Sequence, residues 1–296
     1  MGDRAQADSP EPGNLWTRAR EQTRRALACG ALQPIPTECR VVEQDGIGFL
    51  VRILTPQARA EQVWKRWKPV EGFDPFLPYD EAMFVAGLTD THVCLLNKFN
   101  VVDCHLLVVT RAFADQESLL DLEDFAALWP CMAEQEGLAF YNAGAAAGAS
   151  QRHKHLQVVP LPLAPSTPRL PVESLLDAAQ SGTGRVPGLG FAHAFARLGA
   201  SGSASAQAGA EEAYACYSGL LDDLGMSRTD AGSRPYNLLV TRRWMLLVPR
   251  SRESYNNAHV NALGFAGAFL MRDEEQQRSV EQYGYLKLLR TVALAE

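Results

Sequence analysis

The chain has no apolar run near the roughly 18 residues that a membrane-spanning helix needs, no C-x-x-C pair and no surplus of positive charge. Each absence removes a class of function. Without a long apolar run, a soluble protein is expected. A balance of 28 Lys and Arg against 34 Asp and Glu, net −6, gives no broad basic field to hold duplex nucleic acid by counterion release. Any phosphate must therefore be captured locally. The six cysteines (Cys29, Cys39, Cys94, Cys104, Cys131, Cys216) are scattered, and the charged, proline-containing N-terminus has no signal-peptide pattern. Reduced thiols in a cytoplasmic protein are the expectation. What is present is 47% apolar and 21% charged residue over 296 positions, enough for a full core in one large domain or two coupled halves, with no short-period repeat.

Residues 15–29 place Leu15, Trp16, Ala19, Thr23, Ala26 and Leu27 near helical spacing, with Gly30 as the C-cap, which predicts a docking helix. Residues 39–54 read as two strands joined by the turn pair Asp45-Gly46. A proline-rich stretch, KPVEGFDPFLPYDE, follows without periodicity and is long for a structureless connection, which points to a binding role. Strands are predicted at 92–98, 105–110 and 138–142, with a helix from Asp121 that Pro130 kinks or ends. Residues 160–190 are proline-rich and 199–210 are small-residue low complexity, read as a flexible bridge and a mobile loop. A helix at 211–224 stopped by Gly225, a hairpin at 236–249, the segment ALGFAGAFLM and a helix after Asp273 complete the chain. Antiparallel-looking strand pairs followed by helices favour an α+β fold over a doubly wound sheet. Three segments are expected: an N-terminal half at 1–164, a Pro/Gly/Ser-rich connection at 165–210 and a C-terminal half at 211–296.

The most informative run is YNAGAAAGASQRHKHLQVV at 141–159. Continued as a strand, it sets His153, His155 and Gln157 on one side and Lys154, Leu156 and Val158 on the other. An imidazole attacking a phosphoryl group splits a transfer into two steps through a phosphorus–nitrogen intermediate, which requires a neutral, oriented histidine. Small residues from Gly144 to Ser150 let backbone N–H groups approach phosphate, with Ser150, Gln151 and Lys154 as added donors and His153 as an orienting or shielding group. The same H-x-H spacing suits zinc, but a third ligand from His92, His105, His193 or His259 requires long-range folding, so no protein-held metal is expected. A polar edge strand after a flexible loop is the bland alternative.

HKHLQ after the YNxG…GASQ loop resembles the histidine-triad superfamily, in the branch where glutamine replaces the third histidine, specifically diadenosine tetraphosphate phosphorylase, also called ATP adenylyltransferase. The likeness continues in order through the KP…DPF segment at 68–76, LLNKFNVVDCHLLVVTRAFADQ at 95–116, PYNLLVTRRWMLLVPRS at 235–251 and NALGFAG at 261–267. It implies a histidine-triad-like antiparallel sheet with helices, in two related halves of which only the first keeps the catalytic histidine. It implies His155 as the nucleophile and Gln157 as a hydrogen-bond partner of the transferring phosphate that cannot titrate near neutral pH. By the same resemblance Gly148, Ala149, Ser150 and Gln151 contact phosphate, Asn142 opens the loop, Lys68 reaches the polyphosphate, and Asn97 and Lys98 hold ribose and phosphate. Asn237, Thr241 and Arg250 face the second nucleotide, whereas Arg242-Arg243 reads as solvated turn charge and His105 as a satisfied strand histidine.

The implied reaction is diadenosine tetraphosphate plus inorganic phosphate giving ADP and ATP, reversibly, with Mg²⁺ carried by the nucleotide. The alternatives are a dinucleoside polyphosphate hydrolase, a sugar-1-phosphate nucleotidyltransferase, whose H-P-H and metal ligands are missing, and a non-catalytic nucleotide-binding protein. The loop also has fewer serines than relatives carry, which shifts phosphate binding onto backbone N–H groups.

Overall fold

The computed structural model describes residues 13–61, 72–165, 170–177, 179, 183–199, 205–226 and 234–296. Lys68 lies outside them.

Helix α1 (Leu15–Ala28) is followed by the hairpin β1 (Thr37–Gln44) and β2 (Ile47–Leu54), and then the short helix α2 (Pro56–Ala60). Gln44 pairs with Ile47, and Asp45 and Gly46 both have positive φ, 55° and 76°, the two-residue turn that the Asp-Gly pair predicts. Strands β3 (Phe84–Gly87), β4 (His92–Leu96) and β5 (Leu106–Thr110) lead to helix α3 (Leu122–Glu134), then β6 (Gly137–Ala143) and β7 (His155–Pro160). After α4 (Glu173–Asp177), β8 (Thr183–Gly184), β9 (Ala194–Arg197) and α5 (Ala206–Asp223) come β10 (Tyr236–Val240) and β11 (Trp244–Pro249). The chain ends in β12 (Ser254–Tyr255), β13 (Ala258–His259), α6 (Ala262–Phe265), β14 (Ala268–Met271), α7 (Glu274–Tyr283) and α8 (Tyr285–Val292).

The main sheet has nine strands in the order β3-β4-β5-β7-β6-β10-β11-β9-β8, all neighbours antiparallel. It confirms the α+β expectation and carries residues of both expected halves, since β6 pairs with β10 from Ala139↔Val240 to Ala143↔Tyr236. One face packs on α1, α3 and α5 through Leu106, Val108, Leu156, Val158, Leu238 and Leu247. The other meets a three-stranded sheet, β1-β2-β14, and the C-terminal helices through Leu138, Phe140, Val159, Leu239 and Leu246. On that second face Phe76 closes a small cluster of Val93, Leu95, Leu107 and Val109. Among the described residues no helix is long and apolar enough to cross a membrane.

Three local expectations change, and the segment ALGFAGAFLM, to which the sequence alone assigns no element, gains structure. Pro130 neither ends nor breaks α3, which runs four residues further. The hydrogen bond forfeited to a proline is outweighed there by burial of Leu128, Cys131 and Met132, and Trp16 Nε1 on α1 donates to the Cys131 carbonyl at 2.8 Å. The low-complexity tract does not stay irregular: Ser205 caps α5, and residues 206–210 form its first turns. Gly209 is required there because a Cβ would lie 1.9 Å from Trp129 Nε1, so the glycine lets α5 cross close to α3. The segment ALGFAGAFLM is a one-turn helix and then a strand, β14, which pairs parallel with β2, the one parallel pair among the described strands. The helix after Asp273 is two helices that meet at Gly284, φ 103°.

Candidate active site

Strand β7 alternates as its sequence requires. Leu156 and Val158 point into the helix-covered core, and His155 and Gln157 face the other way. Phe76 touches both His153 and His155, with ring centroids 5.6 and 5.4 Å apart, so the three polar side chains share a face as expected. Lys154 does not join them. Its ammonium is buried on the opposite face against Asp124 and donates to the Leu119 carbonyl at 3.0 Å, which removes it as a phosphate donor. Burial pushes the Asp124 carboxyl up, but the His92 hydrogen bond and the Lys154 charge outweigh this and hold it below its usual range.

His155 is held in one tautomer and kept neutral by its surroundings. Its Nδ1 lies 2.8 Å from the His153 carbonyl oxygen, which can only accept, so Nδ1 carries the hydrogen and Nε2 keeps its lone pair. Burial lowers the imidazole from its ordinary value to about 4, so the ring is neutral near pH 7. Nε2 has no partner among the described residues. His153 is tied at both ring nitrogens, Nε2 at 2.8 Å from the Thr110 carbonyl and Nδ1 at 2.8 Å from Asp74 Oδ2. Phe76 and Phe113 sit against its ring. His153 thus fixes the carbonyl that fixes His155.

Beyond Phe140↔Gln157 the ladder between β6 and β7 opens to make room for the loop. Gln116 fills the opening: its Nε2 donates to the Asn142 and His155 carbonyls at 3.0 and 3.1 Å, and its Oε1 accepts from the His155 N–H at 2.8 Å. Backbone groups that lose strand partners are thereby satisfied, and the main chain of His155 stays in register.

The loop turns at Gly144, φ 85°, passes through one 3-10 turn at Ala145–Ala147, and turns again at Gly148, φ 89°. A Cβ on Gly148 would stand 2.9 Å from Asn261 Cβ and 3.0 Å from the Val260 carbonyl, so both conformation and space demand glycine. The Gly148 and Ala149 N–H groups donate inside the loop, to the Ala145 and Gly144 carbonyls at 2.9 and 3.2 Å. In this conformation neither amide can serve as the phosphate donor expected of it. Ser150, exposed, and Gln151, half-buried, have backbone N–H groups without partners among the described residues and remain candidates.

Three residues expected to touch nucleotide instead hold the loop from below. Asn142 Oδ1 accepts from Asn237 Nδ2 at 2.8 Å and from the Ala262 N–H at 2.9 Å. Asn237 Nδ2 also donates to the Ala147 carbonyl at 2.8 Å. Buried Arg250 donates to the carbonyls of Ala147, Val260, Val292, Arg252 and Glu253 and to Asn237 Oδ1. Burial lowers its guanidinium to about 10, which leaves it cationic at neutral pH. Thr241 is elsewhere: its hydroxyl accepts from the Arg243 and Trp244 N–H groups at the β10–β11 turn, at the far end of the strand from Asn237. At the other edge of the site Asn97 and Lys98 follow β4, but the Asn97 amide is engaged by the Phe99 N–H at 3.2 Å and by His105, so it is no free ribose ligand. Lys98 Nζ has no partner among the described residues.

Sequence reasoning missed Asp74 and Gln116, and it read His105 as a satisfied histidine, whose ring nitrogens face Asn97 and Gln157. Asp74 and Gln116 lie in the quoted DPF and ADQ segments, but nothing local distinguishes them from turn residues. Among the described residues no group of three or more His, Cys, Asp or Glu is placed to hold a metal ion. None of the six cysteines is disulfide-bonded.

Diadenosine 5',5'''-P1,P4-tetraphosphate phosphorylase 2 of Saccharomyces cerevisiae is 28% identical over 249 residues, covering 72% of this chain and 73% of its own length. Protein APA1 of the same yeast is 26% identical over 245 residues, covering 71% of this chain and 72% of its own length. The crystal structure of yeast Ap4A phosphorylase Apa2 superposes with a TM-score of 0.79 at 23% identity, over 95% of this chain and 98% of that one, and so shares the fold. Residues 5–178 match the Ap4A phosphorylase N-terminal domain and residues 187–295 the ATP adenylyltransferase C-terminal domain. With one family domain covering more than half of its length and the second following in order, the chain belongs to the Ap4A phosphorylase (ATP adenylyltransferase) family of nucleotidyltransferases.

Proposed function

We infer that the protein catalyses the reversible phosphorolysis of diadenosine tetraphosphate (Ap4A) to ADP and ATP through an adenylylated His155. The observation that carries this is the state of the His155 ring, neutral by burial, with Nδ1–H held by the His153 carbonyl and Nε2 without a partner among the described residues. In the first step Nε2 attacks the α-phosphorus. A P–N bond forms while the P–O bond to the departing ATP breaks. In the second step inorganic phosphate attacks the same phosphorus, the P–N bond breaks, and ADP leaves with the imidazole restored. The Nδ1 hydrogen stays in place throughout, and its bond to the His153 carbonyl supports the positive charge that the ring acquires in the intermediate.

Gln157 in place of a third histidine supports transfer over hydrolysis, because an amide cannot take a proton from water near neutral pH. Lys98, Ser150 and Gln151 are assigned to phosphate oxygens, and Lys68 to the polyphosphate. The donor set suits a Mg²⁺ ion that arrives on the nucleotide rather than in a protein cage, since the described residues offer it no carboxylate cluster. When bound, such an ion neutralises polyphosphate charge. Six unpaired thiols support a cytoplasmic location.

Incubation with Ap4A and labelled inorganic phosphate tests the reaction. Label appearing in ADP supports it, whereas AMP and ATP released at the same rate without phosphate would make the protein a hydrolase. Tight nucleotide binding with no adenylyl adduct in the intact mass would make it a binding protein.

A further inference from the structure

One end of the catalytic face carries a hydrogen-bond chain that the two-step mechanism leaves unused. It starts at a group whose polarity is fixed, the backbone N–H of Phe99, which donates to Asn97 Oδ1 at 3.2 Å. That bond orients the amide, so Asn97 Nδ2 presents its hydrogens to His105 Nδ1 at 3.3 Å. A ring nitrogen facing a donor must offer a lone pair, so the hydrogen of the neutral His105 ring sits on Nε2. Nε2 lies 3.0 Å from Gln157 Oε1 and donates to it. With its oxygen turned to His105, Gln157 leaves the two hydrogens on its own Nε2 for other partners.

We propose that Asn97 and His105 are positioning residues that lock the Gln157 amide one way round, presenting N–H donors and not its carbonyl oxygen to the transferring phosphate. The proposal rests on the phosphorolysis reading. Its chemical consequence is selectivity between acceptors. Donors stabilise the negative charge spread over the phosphoryl oxygens, whereas a carbonyl oxygen turned inward would oppose that charge and supply a hydrogen-bond acceptor to align an attacking water. Inorganic phosphate brings its own negative oxygens and needs no such acceptor. The surroundings preserve the direction of the chain. His105 is buried, its ring lies 5.8 Å from that of Phe140, and burial lowers it to about 4. A second ring hydrogen, on Nδ1, would meet the hydrogens of Asn97 head on. His105, just before β5, and His155, on neighbouring β7, therefore hold opposite tautomers, His105 as Nε2–H and His155 as Nδ1–H.

The first test needs no substrate. Imidazole ¹⁵N chemical shifts of the full chain at pH 7 are expected to report Nε2–H for His105 and Nδ1–H for His155. A His105 protonated at Nδ1, alone or with Nε2, overturns the proposal whatever reaction the enzyme runs. The second test compares two amides at the same position. His105→Gln carries a donor near the old Nε2, whereas His105→Asn ends near the old Nδ1 and falls short of Gln157. His105→Gln is expected to keep kcat within about fivefold, and His105→Asn to lose about tenfold or more in kcat with KM for Ap4A little changed. His105→Asn should also release a larger share of AMP per turnover. Equal losses in both variants, tracking a common fall in melting temperature with no change in the AMP share, would reduce His105 to a packing role.

Discussion

Acid titration of the first half-reaction reads the central claim about His155. Mixing enzyme with Ap4A in the absence of phosphate isolates adenylylation, which releases one ATP and leaves the adduct. The four phosphates of Ap4A are all internal, so the substrate's charge is constant between pH 5 and pH 8. An ordinary histidine with a pKa near 6.5 would be only about 3% neutral at pH 5, and the rate constant would fall about thirtyfold from its plateau. With burial setting His155 at about 4, the ring stays about nine-tenths neutral at pH 5, and adenylylation should keep nearly its full rate. A rate that halves near pH 6.5 would refute the desolvated environment described for this ring. Stability carries the opposite signature of the same burial. Between about pH 6.5 and pH 4 the unfolded chain binds protons that folded His155 and His105 refuse, so stability is full above that window and is lost as the pH falls through it. The loss approaches about 3 kcal/mol for each ring by pH 4, and thermal melts across the window measure it.

Gly148→Ala should lose about 2 kcal/mol or more and most of the adenylylation burst, since the new Cβ meets Asn261 and the Val260 carbonyl at a positive φ; melting and burst amplitude check both. Arg250→Met leaves the Val260 carbonyl and Asn237 Oδ1 without a donor in the interior and should cost about 3 kcal/mol or more. Its loss of kcat should follow the loop, while loss of nucleotide affinity with an unchanged melting temperature would return Arg250 to the role of a ligand. Thr241→Val should lower stability by about 1 kcal/mol through the hairpin turn and leave kcat/KM unchanged, as steady-state kinetics beside a urea melt would show.

How much of this was legible in the sequence depends on the range of the forces involved. Period-two alternation in HKHLQ placed His155 and Gln157 opposite Leu156 because strand geometry is local, and Asp45-Gly46 announced its turn for the same reason. Asn142, Asn237 and Arg250 read in the sequence as nucleotide ligands, whereas in the fold their side chains bond to the loop and to one another. A polar side chain reads the same in sequence whether it points at a ligand or at a carbonyl over a hundred residues away, as Arg250 does at Ala147. Lys154 looked like a phosphate donor because lysine rarely lies buried, and only Asp124 across the sheet explains why it does here. Pro130 and the small residues before Ala210 were judged by intrinsic propensity, which the packing of α3 against α5 overrides.

The arginine beneath the loop has a consequence for how the protein is made. Synthesis runs from the N-terminus, so the glycine-flanked loop leaves the ribosome 103 residues ahead of the guanidinium that anchors it. The parallel strand that completes the β1–β2 sheet emerges later still. Until then the nascent chain holds His155 beside a loop without its anchor and a hairpin with one strand edge unpaired. The loop can therefore take its anchored shape only after Arg250 has been made and has folded back beneath it.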